Sequence, residues 1–88
     1  MAYKVLFHKQ ATKDIKKLQP RIRKDVISAL ENIAINPRLL GSIQLSGHTD
    51  LRRYKVNRDY RIIYRVIDEE LEILVLDAKP RGDVYKKY

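Results

Sequence analysis

Between Leu51 and Arg65 the chain reads LRRYKVNRDYRIIYR, in which cations and apolar residues alternate on either side of Asn57-Arg58-Asp59. Alternation with a period of two marks a β-strand with two unlike faces, and a short polar cluster between two such runs marks a hairpin loop. Closing the hairpin on those three residues sets Val56 opposite Tyr60, Lys55 opposite Arg61, Tyr54 opposite Ile62 and Arg53 opposite Ile63. Successive side chains on a strand point to opposite faces. One face therefore gathers Tyr54, Val56, Tyr60, Ile62, Tyr64 and Val66, and the other Arg53, Lys55, Arg61 and Arg65. Like charges directly opposite each other destabilise a sheet. Stability alone gives no reason to set Lys55 against Arg61, whereas a polyanion lying across the strands does.

The chain's 88 residues predict one domain, 1–88, with a single modest core. A 44% apolar and 34% charged composition is that of a folded globular protein. The net charge of +8 is not ordinary, and it points first to nucleic acid, then to an acidic protein. A membrane partner is not expected, because no run of apolar residues is long enough to span a bilayer. The N-terminus, MAYKVLFHKQ, lacks a signal-peptide layout. Cysteine is absent, which removes disulfides and thiolate metal sites. A cytoplasmic location is expected on these grounds.

Residues 3–8 read as a strand. Ala11, Ile15 and Leu18 have the spacing of a short amphipathic helix over Lys9 to Gln19. Pro20 suits the first turn of a second helix, whose stripe is Ile22, Val26, Ala29, Leu30 and Ile33. That helix should end near Asn36, since Pro37 disfavours helical geometry in the residue before it. Residues 37–50 read mostly as loop. After the cationic hairpin, Asp68-Glu69-Glu70 reads as a turn and Leu71 to Ala78 as a buried strand, broken by Lys79-Pro80-Arg81-Gly82-Asp83. The predicted class is α+β, a small antiparallel β-sheet with the two N-terminal helices packed on one face.

A search for conventional catalytic groups finds little. His8 and His48 have no evident positioned partner and read as structural or solvated. No cluster has metal-ligand spacing, and Gly41, Gly47 and Gly82 are too isolated for a phosphate loop. Neither a metal nor a cofactor is expected. Cations and tyrosines remain. RNA can be cut by its own 2′-OH if a protein helps deprotonate that hydroxyl, stabilises the extra charge and protonates the leaving 5′-oxygen. Arginine's planar fork suits the second task. Lysine suits the first when neighbouring cations disfavour its charged form, which singles out Lys55 beside Arg53 and Arg61. Arg81, between Pro80 and Gly82, could be aimed at the same surface, and Tyr85 could stack on a base. Arg52, Arg58, Arg65, Lys79, Lys13 and Lys17 complete the expected RNA-binding surface. The plainer reading of all these cations is a solvated strand face and solvated helix faces.

The run DLRRYKVNRDYRIIYRVIDEELEILVL followed by KPRGDVY resembles the RelE family of toxins from toxin–antitoxin pairs. AYKVLFHKQATKDIKKL and PRIRKDVISAL match as well, so the resemblance covers nearly the whole chain. It implies a fold close to microbial ribonucleases and a metal-independent mRNA endonuclease that cuts codons in the ribosomal A site. The implied partners are mRNA, rRNA and a cognate antitoxin. The family's catalytic pattern falls on Arg53, Lys55, Arg61, Arg81 and Tyr85. Well-described members carry lysine at both positions of the basic pair, whereas this chain has Arg53. Arginine does not readily give up a proton, so the base role moves to Lys55. Arg61 is then the phosphate clamp, Arg81 the group at the leaving oxygen and Tyr85 an orienting group. Many relatives continue into a helix after the tyrosine, where this chain has only Lys86-Lys87-Tyr88. Two other functions fit the same fold, a ParE-like inhibitor of DNA gyrase and an RNA-binding module without turnover.

Overall fold

In a computed structural model, residues 2–47 and 50–80 are described. The order is β1 (Lys4–Phe7), α1 (Lys9–Lys17), α2 (Pro20–Ile35), β2 (Ser42–Gln44), β3 (Leu51–Val56), β4 (Tyr60–Ile67), a 3-10 turn (Asp68–Glu70) and β5 (Glu72–Pro80). The strands form one sheet in the order β1-β5-β4-β3-β2. Every neighbouring pair is antiparallel except β1 and β5, which run parallel. The α+β expectation holds, with a mixed sheet in place of a purely antiparallel one. A parallel partner must come from a distant part of the chain, so no local turn signal announced it.

Both helices begin as their sequences dictate. At the head of α1 the His8 Nδ1 accepts a hydrogen bond from the Gln10 N–H at 3.1 Å, which makes this histidine a helix cap. Pro20 opens α2, where its missing N–H costs nothing. The junction between them is closed by Arg23, whose guanidinium donates to the carbonyls of Ile15, Lys16 and Leu18 at 3.0–3.2 Å. Those carbonyls belong to the end of α1, where the helix leaves acceptors without a full set of intrahelical partners; the Ile15 carbonyl also accepts from the Leu18 N–H. Arg23→Ala is expected to cost about 1 kcal/mol and to lower the melting temperature by roughly 4–8 °C, read by thermal unfolding.

The apolar stripes of both helices meet one face of the sheet. Ala11, Leu18, Val26, Ala29, Leu30 and Ile33 pack with Val56, Ile62, Tyr64, Val66, Ile73 and Val75. Tyr54 and Tyr60 are partly buried against this core, so the predicted inner face of the hairpin is the observed one. Tyr64 is fully buried and donates to the Pro37 carbonyl at 2.6 Å, and burial pushes its hydroxyl pKa up. That bond fixes the segment after α2 on the sheet.

Residues 42–44, read from sequence as loop, form the edge strand β2 against Arg52 to Tyr54. A three-residue strand carries too little alternation to be recognised alone, and pairing with β3 makes it one. The last strand is displaced too. Leu71 adopts a left-handed conformation at φ 52° in the turn, and β5 continues through Lys79 to Pro80, where a break was predicted. Lys79 pairs there with Arg61, and Pro80 with Tyr60. A bulge lies opposite Ile63 and Tyr64: Ile63 pairs with Asp77 and Tyr64 with Val75, which leaves Leu76 as the extra residue. It lets both ends of β5 keep their apolar side toward the helices.

Candidate nucleic-acid interface

The hairpin register is the predicted one, with Lys55 opposite Arg61 and Arg53 opposite Ile63. Asn57 takes φ 56°, a left-handed conformation that asparagine tolerates. Its Nδ2 donates to Asp25 Oδ2 at 2.9 Å, which ties the hairpin tip to α2. Extending the register to β5 gives rows that cross three strands. The first is Lys55, Arg61, Lys79 and the second is Arg53, Ile63, Asp77. The register thus brings cations from three strands into one row: Lys55 and Arg61 lie on the face away from the helices, while the Lys79 side chain reaches α1.

These cations are not equivalent. Lys55 is exposed, whereas Arg61 is only 5% exposed. Arg61 Nη1 donates to the carbonyls of Arg58 and Tyr60, both at 3.2 Å, so the guanidinium curls toward the hairpin tip. Its Nε is buried without a hydrogen-bond partner among the described residues. A buried donor left unsatisfied costs about 1–3 kcal/mol. Among the described residues no carboxylate pairs with Lys55 or Arg61. The predicted solvated cationic face is therefore partly a buried one, since Leu51 and Ile63 are buried on it as well.

Lys79 is held differently. Its ammonium lies 2.5 Å from Asp14 Oδ1 and 3.5 Å from Asp77 Oδ1, both buried carboxylates. Asp14 also accepts from Gln10 Nε2 at 2.9 Å and from the Ala78 N–H at 3.2 Å. Burial alone would raise the Asp14 pKa, but the bonds from Lys79, Gln10 and Ala78 outweigh it and hold the carboxyl below its ordinary value. Sequence reasoning missed both acids. Signals existed: Asp77 interrupts the apolar run of β5, and Asp14 lies between Ala11 and Leu18 on the buried face of α1. An acid at a core position calls for a paired cation.

The remaining site residues are dispersed. Arg52 points to the helix side, where Nε and Nη2 reach Ser42 Oγ at 3.1 and 3.0 Å and Nη2 reaches the Ser42 carbonyl at 3.2 Å. Arg65 Nε lies 2.8 Å from Asp50 Oδ2, an ion pair without the alignment of a hydrogen bond. Arg53 is half-buried, Arg58 is exposed at the hairpin tip, and Lys13 and Lys17 are exposed on α1. Arg81, Tyr85 and His48 lie outside the described residues. Among the described residues, no group of three or more histidines or acids converges as a metal would require, and no helix is long and apolar enough to cross a membrane.

With this geometry the family comparison is specific. The family model described as the ParE toxin of type II toxin-antitoxin system, parDE, matches residues 5–85. The chain belongs to the RelE/ParE family of toxins. It is similar to toxin RelG of Mycobacterium tuberculosis, 32% identical over 99% of this chain and 100% of that protein. It is also similar to the mRNA interferase toxin RelE of Escherichia coli K12, 30% identical over 99% of this chain and 94% of RelE. The crystal structure of isolated E. coli RelE superposes with a TM-score of 0.81 at 29% identity, covering 98% of this chain and 94% of RelE. An archaeal RelE–RelB complex from Pyrococcus horikoshii gives 0.78 at 31%, covering 93% of this chain and 98% of the matched chain. The α+β fold of this RelE-like toxin is thus the fold of solved RelE proteins.

Proposed function

We propose that this toxin is an endoribonuclease that cuts mRNA within the A-site codon of the ribosome, without a metal. The observation that carries the reading is the cross-strand pair of Lys55 and Arg61, an exposed amine beside a buried guanidinium with an unsatisfied donor. The name mRNA interferase on a RelE relative supports it. In the proposed step Lys55 takes the 2′-OH proton. The 2′-oxygen bonds to the adjacent phosphorus and the bond from phosphorus to the 5′-oxygen breaks. A proton delivered to that oxygen leaves a 2′,3′-cyclic phosphate and a 5′-hydroxyl. Arg61 and Arg53 stabilise the extra charge on the phosphoryl oxygens. Arg81 serves the leaving oxygen, and Tyr85 orients a base or the 2′-OH. Arg58, Lys13 and Lys17 supply contacts to rRNA, while Arg52, Arg65 and Lys79 act chiefly within the fold. An antitoxin is proposed as the cognate partner, as RelB is in the archaeal complex. Its extended or amphipathic acidic segment would lie on the basic surface.

Gyrase inhibition is the second reading, favoured by the ParE description of the matching family model. Induced expression separates the two. The nuclease predicts prompt translation arrest, with new transcript 5′ ends inside codons, and a loss of both of about 100-fold in Lys55→Ala. Induction of a DNA-damage response with intact transcripts would favour the gyrase reading.

A further inference from the structure

The hairpin that carries Lys55 and Arg61 runs past its edge neighbour. Strand β2 pairs only with Arg52 to Tyr54, so Lys55 and Val56 have β4 on one side and no described strand on the other. Backbone with few partners opens locally at low free energy. Among the described residues, the side-chain bond that holds the tip to the helix layer runs from Asn57 Nδ2 to Asp25 Oδ2 on α2, at 2.9 Å. Asp25 and Asn57 are also the two residues shared by a pair of clefts. The first, of about 230 Å³, includes Lys55, and the second, of about 380 Å³, includes Arg58 and Tyr60. The bond therefore stands where the surface beside Lys55 meets the surface of the tip. The residue type at position 57 is itself informative. At φ 56° glycine is the unstrained choice, whereas asparagine tolerates the conformation and brings a side chain. Here that side chain is committed to Asp25.

We propose that Asp25 and Asn57 are positioning residues for the cleavage step, a latch that fixes the hairpin tip and, through it, the Lys55 amine and the Arg61 guanidinium; the inference rests on the nuclease reading. The connection runs through the backbone. Arg61 Nη1 donates to the carbonyls of Arg58 and Tyr60, and Arg58 adjoins Asn57 in the tip. Lys55 lies two residues before Asn57 and opposite Arg61. A displaced tip therefore moves the acceptors of the guanidinium and the backbone of the lysine together. Taking a proton and stabilising the developing charge both need close placement, and a misplacement of about 1 Å can cost roughly 10²-fold in rate. The charge of Asp25 is not what this role uses. Its carboxylate binds a neutral amide, and among the described residues no ion pair joins it to a cation. The latch requires one donor and one acceptor facing each other, in either order.

The test is single-turnover cleavage of a defined mRNA in programmed ribosomes over a range of toxin concentrations, with each protein checked by thermal unfolding. The variants are Asn57→Gly, Asn57→Asp, and Asn57→Asp combined with Asp25→Asn. Asn57→Gly removes the latch but relieves the left-handed backbone, so its melting temperature should stay within about 4 °C of wild type. Its limiting rate should fall about tenfold, with the half-saturating concentration within about twofold of wild type. Asn57→Asp sets two carboxylates against each other and should lower the rate at least as far. Adding Asp25→Asn restores the bond in reverse order and should return the rate to within about threefold of wild type. A folded Asn57→Gly protein with the wild-type rate would overturn the inference while leaving the nuclease intact. A raised half-saturating concentration at an unchanged limiting rate would make the tip a binding contact and overturn it too. So would a reversed pair that regains the wild-type melting temperature but stays slow. Absence of cutting by the folded wild type would remove the nuclease reading itself.

Discussion

Arg61→Met is expected to lower mRNA cleavage at least 100-fold while the melting temperature stays level or rises. The loss follows from removing a preorganised donor for the phosphoryl oxygens, an effect of roughly 10²–10³ where single donors of this kind are deleted. The stability argument is less usual. Methionine keeps most of the buried stem but removes the guanidinium. Two bonds to the Arg58 and Tyr60 carbonyls disappear, at about 1 kcal/mol each. Against them stands the buried Nε, without a partner among the described residues, whose desolvation costs about 1–3 kcal/mol. The two roughly cancel. A residue that makes the empty protein no more stable, yet is needed for activity, marks a binding site and not a scaffold. Cleavage by a folded Arg61→Met protein at the wild-type rate would remove Arg61 from the site. A collapse of the melting temperature would make its role structural.

Asp14→Asn should produce the opposite pattern, a large stability loss through a residue that sequence reasoning passed over. The carboxylate joins α1 to β5 through Lys79 and the Ala78 N–H while nearly excluded from water. Asparagine can keep the bond from Ala78 but not the ion pair, and Lys79 is left with Asp77 alone. A loss of about 2 kcal/mol is expected, a drop of roughly 10 °C in a domain of this size. The pH dependence has a definite sign. The folded Asp14 pKa is below its ordinary 3.8, so its contribution is complete above that value and is lost as pH falls toward the folded pKa. Asp68, lowered by Arg38 and then by the Tyr3 hydroxyl, has the same sign. Wild-type stability should therefore fall steeply below about pH 4, within the acid range of carboxylate titration. The slope should be shallower in Asp14→Asn. Equal slopes in denaturant titrations at pH 3 and pH 6 would contradict this account of Asp14.

The parts of the molecule legible in the sequence are those governed by local periodicity. The two helices are written in the 3.6-residue stripes around Ala11 and Val26, and the hairpin register in the alternation on either side of Asn57. What escaped depends on distant partners. β2 exists because Arg52 to Tyr54 offer it a ladder, and β1 lies parallel to β5 across most of the chain length. Alternation placed Arg61 on the charged face but could not tell that this face buries it. It likewise grouped Lys79 with the free cations, because Asp14 is 65 residues away. The adjacency of Arg52 and Arg53 hid their separation: one binds Ser42 beneath the sheet, and the other stands in the row with Asp77. For the site, sequence supplied the cations, and the tertiary fold decides which of them are committed to carboxylates.

The most direct measurement of the central claim is primer extension on a defined mRNA in programmed ribosomes, comparing wild type with Lys55→Ala and Arg61→Met. Wild-type cuts confined to the A-site codon and lost in both folded variants are the predicted result. No cuts by a folded wild-type protein that still arrests growth would contradict it and shift the reading to gyrase.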